Sequence, residues 1–125
     1  MSKSLPDTNV FSRVFSGDTR VRDLISSSES VVDATVYIEC LQGSKSNIEK
    51  QKVKKYLDNF PLLYLTPEIS AAAIRLIDLY SNSHGLFLPD ALIVATALEN
   101  DLTILTYNIN DFKFIDGLKY QMPLI

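Results

Sequence analysis

The sequence predicts an α/β fold built on a parallel sheet, and three features carry that reading. Short β-like runs alternate with helical ones along the whole chain. The run LTILT, residues 102–106, is apolar nearly throughout, which suits a strand covered on both faces. No repeat, low-complexity tract or linker interrupts the order, and 125 residues with 46% hydrophobic content are enough for a single domain, 1–125, with a real core.

The elements follow in order. A short first strand is expected from Lys3 to Pro6; Pro6 lacks the N–H that a central strand uses, so the strand should stop or bulge there. After Asp7, Thr8 and Asn9 comes a helix through Val10, Phe11, Val14 and Phe15, then a second helix, capped by Asp18 or Thr19, with Val21, Leu24 and Ile25. SSSES is a turn, SVVDAT a strand, and VYIECLQG a helix ending at Gly43. Ser46 and Glu49 have the spacing of a capping box, opening a helix that turns Val53, Tyr56, Leu57 and Phe60 inward. PLLYL is a third strand. Thr66, Pro67 and Glu68 then start a helix with Ile69, Ala73, Leu76 and Tyr80 on one face. A loop, SNSHG, leads to LPDALIVATALEND, which between Asp90 and Glu99 is apolar on nearly every face and therefore a buried helix. LTILT follows, and LKYQMPLI is expected to add an edge strand.

Composition narrows the function from the negative side. A net charge of -3 and a pI near 5.0 give no overall attraction to nucleic acid or an anionic membrane, so a polyanion partner needs a local patch or a bound cation. Cys40, the single cysteine, excludes an internal disulfide and a Cys-rich zinc site. The start lacks a signal-peptide pattern and no apolar run approaches the roughly 20 residues of a membrane span, so a soluble cytoplasmic protein with no membrane partner is expected. Neither a GxxxxGK phosphate loop nor a G-x-S-x-G elbow is present.

The acids carry the positive signal. Asp7 follows the first strand, Glu39 sits about one helical turn beyond the second, and Asn108 and Asp111 follow LTILT. Right-handed crossovers bring the carboxyl ends of parallel strands to one edge, where ligand sites gather. Asp90 has a plain structural reading, as an acid complementing a helix N-terminus after Pro89. If that helix opens toward the same edge, Asp90 joins the others. Converging carboxylates repel unless a cation is present, and oxygen ligands without His or Cys favour Mg²⁺ or Mn²⁺. The chemistry implied is metal-assisted phosphodiester hydrolysis.

LPDTNVFS, VYIECLQG, LPDALIVATALENDLTILTYNINDF and IDGLKY together resemble the PIN-domain ribonucleases, specifically the VapC-like toxins of bacterial toxin–antitoxin pairs. The likeness runs from Asp7 to Tyr120, and its most specific piece is PDALIVATAL followed by the T-x-N-x-x-DF turn. It implies a three-layer α/β/α PIN-like fold with a central, mainly parallel sheet, and a Mg²⁺- or Mn²⁺-dependent endoribonuclease acting on structured RNA such as tRNA. It further implies Asp7 and Asp90 as direct metal ligands, Glu39 as a water-mediated ligand that orients the nucleophile, and Asn9 as a support of the Asp7 loop. The fourth acidic place falls on the NIND turn, where Asn108 contributes no charge and Asp111 either substitutes or orders the turn. Thr106, at the end of the strand that points at the site, either touches a bound metal water or substrate or packs and caps that turn. The resemblance also implies a small antitoxin partner and a homodimer, for which Phe11, Val14, Phe15, Val21 and Leu24 are the expected apolar surface. Lys50, Lys52, Lys54 and Lys55 form a basic helix face, read as solvated rather than RNA-binding, and His84 reads as a surface loop residue. A rival reading from the same residues is a PIN-like module that binds RNA or protein without turnover.

Overall fold

The computed structural model describes residues 3–124; Met1, Ser2 and Ile125, which the expected domain and last strand include, lie outside the described residues. The strands are β1 (Ser4–Pro6), β2 (Val32–Asp33), β3 (Leu62–Leu63), β4 (Thr103–Leu105) and β5 (Lys119–Gln121), and every pairing among them is parallel. β1, β4 and β5 are joined in that order, β2 pairs with β3, and a parallel bridge between Ser4 and Ser30 links the two groups. The combined order β3-β2-β1-β4-β5 leaves β1 and β4 in the middle of the sheet.

Pro6 explains where β1 ends. Alternate residues of a parallel strand serve opposite neighbours: the Ser4 N–H donates to the Glu29 carbonyl at 2.7 Å, whereas the Asp7 N–H donates to the Leu105 carbonyl at 2.8 Å. Pro6 shares the parity of Ser4, so its missing N–H ends pairing toward β2 and leaves the bonds to β4 intact.

The helices are α1 (Thr8–Phe15), α2 (Thr19–Ser27), α3 (Ala34–Gln42), α4 (Asn47–Leu57), α5 (Pro67–His84) and α6 (Leu88–Asn100). Side-chain caps start most of them: Asp18 bonds Arg20 and Val21 N–H, Ser46 bonds Glu49 N–H, and Thr66 bonds Ile69 N–H. The Glu49 carboxylate reaches back to the Lys45 N–H at 3.1 Å, one residue before the usual capping-box partner. In α6 an unbroken run from Ile93 to Ala97 is buried, as its all-round apolarity predicts, and the Thr96 hydroxyl is satisfied by the Leu92 carbonyl at 2.8 Å.

Three expectations need correction. SVVDAT is strand only at Val32–Asp33, because the Asp33 carboxylate accepts the Val36 N–H at 2.8 Å and starts α3 at Ala34. SNSHG is helical through His84; Tyr80 and His84 pack on Phe114, the latter with ring centroids 4.3 Å apart, and only left-handed Gly85 ends α5. Most apolar residues of the first two helices are core rather than surplus surface, the exception being Phe15, which is 37% exposed. Phe11, Val14 and Val21 are buried, Leu24 is half-buried, and Phe11 and Phe15 join Tyr56 and Phe60 in an aromatic cluster. The lysines of α4 are exposed, as expected.

Candidate active site

Asp7 follows β1 and caps α1 in extended conformation. Its Oδ1 accepts the Thr8 N–H at 2.7 Å, and its Oδ2 accepts from Asn9 Nδ2 and the Thr106 hydroxyl, each at 3.2 Å. Asn9 reaches across to the end of β4: Nδ2 also donates to Thr106 Oγ1 at 3.2 Å, and Oδ1 accepts the Tyr107 N–H at 3.2 Å. Buried Thr106 fills the capping role and also contacts Asp7. Its hydroxyl bonds Asp7, and it accepts the Asn108 N–H at 3.0 Å, capping the turn.

Glu39 enters from α3, where its Oε1 accepts the Thr8 hydroxyl at 2.7 Å. Asp90 lies in the first turn of α6, half-buried, and its carboxylate accepts no hydrogen bond among the described residues; α6 has no side-chain cap. A favourable helix dipole would lower its pKa, yet the pKa is raised to about 6, first by burial and then by the charges of Asp7, Asp111 and Glu39. The Asp7 pKa is also raised, by burial foremost, with the Thr8 and Thr106 hydrogen bonds opposing and the charges of Glu39 and Asp111 adding. Asp7, Glu39, Asp90 and Asp111 therefore lie within one another's electrostatic reach. Asp111 is exposed at the end of the 3₁₀ turn Ile109–Asp111, and Asn108, also exposed, accepts the Asp111 N–H through its carbonyl at 3.0 Å.

Two residues lack a sequence-based assignment. Thr8 belongs to the DTN segment, but its bridge to Glu39 crosses 31 positions and has no local signature. Asp33 is fully buried at the end of β2, its Oδ2 has no hydrogen-bond partner among the described residues, and burial raises its pKa to about 6, with Glu39 and Asp7 adding to the shift. An Asx residue directly before a helical run was its available signal. Cys40 is buried, and burial foremost pushes its thiol up to about 12.

Among the described residues no group of three or more His, Cys, Asp or Glu could hold a metal ion. A hard cation accepts as few as one or two carboxylates and keeps several waters, so the oxygen-only chemistry of Asp7 and Asp90 is compatible with one. Beside Glu39 a cavity of about 250 Å³ opens between α1, α3 and α4, lined by Thr8, Ser12, Phe15, Cys40, Gly43, Ser44 and Val53 among others. Among the described residues no helix is long and apolar enough to cross a membrane.

Solved structures with this fold include a chain of a toxin–antitoxin complex from Klebsiella pneumoniae, 26% identical, with 93% of this chain and 95% of that chain covered and a TM-score of 0.77. A chain of VapBC2 from Rickettsia felis bound to a promoter DNA fragment is 21% identical over 95% and 97% of the two chains, with a TM-score of 0.77. A chain of DNA-bound VapBC from Salmonella typhimurium is 17% identical over 98% of each, with a TM-score of 0.79. The parallel sheet flanked by helices is the fold that the sequence pattern and the resemblance predict. No curated protein matches the chain. The PIN domain family model matches residues 4–118, nearly the whole chain, and the protein belongs to the PIN-domain family.

Proposed function

We propose that this protein is a metal-dependent endoribonuclease and the toxin of a toxin–antitoxin pair. The observation that carries the reading is Asp90: a half-buried carboxylate with no hydrogen-bond donor among the described residues, set against Asp7, Glu39 and Asp111 at the edge where β1 and β4 end. Such a group is costly to a resting fold and suited to a cation. Asp7 and Asp90 would hold Mg²⁺ or Mn²⁺. When bound, the ion supplies Lewis-acid stabilisation of the phosphodiester and a lowered pKa for the attacking water.

The chain's own residues divide the remaining work. Thr106 and Asn9 aim Asp7, while the Thr8 hydroxyl fixes Glu39 Oε1 and leaves the other oxygen to orient water. Asn108 and Asp111 form a polar rim on an exposed turn where RNA, with tRNA among the candidates, can approach.

The antitoxin reading is supported by the neighbouring structures, one a toxin–antitoxin complex and two of them VapBC assemblies, and by the cavity that ends at Glu39. A basic side chain threaded there would neutralise the acids. For the homodimer, exposed Ile74 and Leu88 share an apolar depression with Ala73, Ile77 and Leu92 on α5 and α6. This face lies apart from the first two helices, whose exposed Phe15 lines the cavity beside Glu39.

The deciding experiment is cleavage of a mixed tRNA pool by the purified protein in Mg²⁺ or Mn²⁺, with EDTA and Asp90→Asn as controls. Discrete metal-dependent fragments are expected from the wild type only. No cleavage in either metal, with the fold intact, would replace this reading with that of a binding module.

A further inference from the structure

We propose that Arg13 anchors an RNA phosphate next to the scissile one, an inference that rests on the nuclease reading above. The problem it solves is electrostatic: a chain of net charge -3, with four carboxylates at its site, must hold a polyanion there. Arg13 is four residues after Asn9 on α1 and therefore on the same helix face, one turn further from Asp7. Asn9 is tied to the Tyr107 N–H, and the Arg13 guanidinium lies 4.1 Å from the centroid of the Tyr107 ring. Tyr107 directly precedes Asn108 on the polar rim.

Arg13 is exposed, makes no side-chain hydrogen bond and has no carboxylate within ion-pair distance among the described residues. A guanidinium held over an aromatic ring is positioned before ligand arrives, with its forked N–H donors unspent, and a phosphate matches that fork. The lysines of α4 offer no such support. Arg22 does stack on Tyr56, at 5.1 Å, but that ring belongs to the aromatic cluster with Phe11, Phe15 and Phe60 rather than to the acid site. A purely structural role for Arg13 also exists, as the cation of the last turn of α1, and it predicts a loss of stability without a change in RNA affinity.

The test compares Arg13→Gln, Arg13→Lys and Arg22→Gln in the full chain. Steady-state cleavage of a bacterial tRNA pool in Mn²⁺ reads KM and kcat, and binding of the same labelled pool at several salt concentrations is read in an Asp90→Asn background. Arg13→Gln should raise KM about tenfold with kcat changed less than about twofold. It should also flatten the plot of log affinity against log salt by roughly one phosphate contact, about 0.7 in slope. Arg13→Lys should recover part of the affinity, and Arg22→Gln, with the same charge change, should behave as wild type. Unchanged KM and salt slope in Arg13→Gln, or an equal loss in Arg22→Gln, would overturn the assignment. Failure of the wild type to cleave would reject the nuclease reading instead, and the binding arm would still decide whether Arg13 contacts RNA.

Discussion

Asp7 and Asp90 face one another electrostatically, yet the protein treats them in opposite ways. Asp7 is 7% exposed and receives donors from Thr8, Asn9 and Thr106, so its orientation is set before any ligand arrives. Asp90 is positioned by α6 alone, with Pro89 behind it and no donor from the described residues. Both pKa values are raised, but the shift of Asp7 is opposed by hydrogen bonds and that of Asp90 by nothing. One carboxylate is thus held by several donors, and the other by none among the described residues. On the proposed reading, a bound cation would relieve the repulsion that Asp90 meets without a donor.

Neutralising each carboxylate breaks the comparison most directly. Asp7→Asn and Asp90→Asn should each lower cleavage at least about 100-fold, since Lewis-acid stabilisation is worth several kcal/mol and about 1.4 kcal/mol is a factor of ten. In thermal melts without divalent ions the two should diverge. Asp90→Asn should raise Tm by about 3 °C or more, because it removes an uncompensated charge. Asp7→Asn should lower it, because the amide NH₂ must face a donor, either the Thr8 N–H or Asn9 Nδ2. A higher Tm for Asp7→Asn than for Asp90→Asn would reverse the assignment of roles.

A pH series sharpens the same point. Asp90 and Asp33 titrate near 6 in the fold against an ordinary value of 3.8. Between these values the folded state holds more protons than the unfolded one, so stability falls as pH rises. The penalty is absent below about pH 4 and complete above about pH 6. Metal-free wild type should therefore lose Tm on going from pH 4 to 6.5 by more than Asp90→Asn does. Parallel Tm curves for the two would mean that Asp90 is ordinarily solvated.

The smallest expected effect lies one bond away from the acids. Thr8→Val removes the hydroxyl that fixes Glu39 while keeping the shape of the side chain, and should lower kcat about tenfold with little change in Tm. Unaltered kcat would show that Glu39 needs no orientation, and a collapse of Tm would show that Thr8 is structural.

The legible parts of this protein were those written locally. Asp7 could be placed because a strand-like run precedes it, and Asp90 because Pro89 opens an apolar helix. SVVDAT misled because Val and Thr favour strands, whereas the Asp33 cap decided the local outcome for helix. SNSHG misled because Ser, Asn and Gly mark loops, whereas packing of His84 on Phe114, thirty positions away, extended α5 to Gly85.

What the sequence by itself determined is the parallel α/β class, most helix starts and the residue types that could meet at the sheet edge. Hydrophobic periodicity, caps and proline act within a few residues of themselves. Only the tertiary structure decided that Thr106 bonds Asp7 across 99 positions, that Thr8 holds Glu39, that Arg13 rests on Tyr107 and that Asp90 meets no donor among the described residues. Those outcomes depend on through-space distance and burial, which no spacing along the chain encodes.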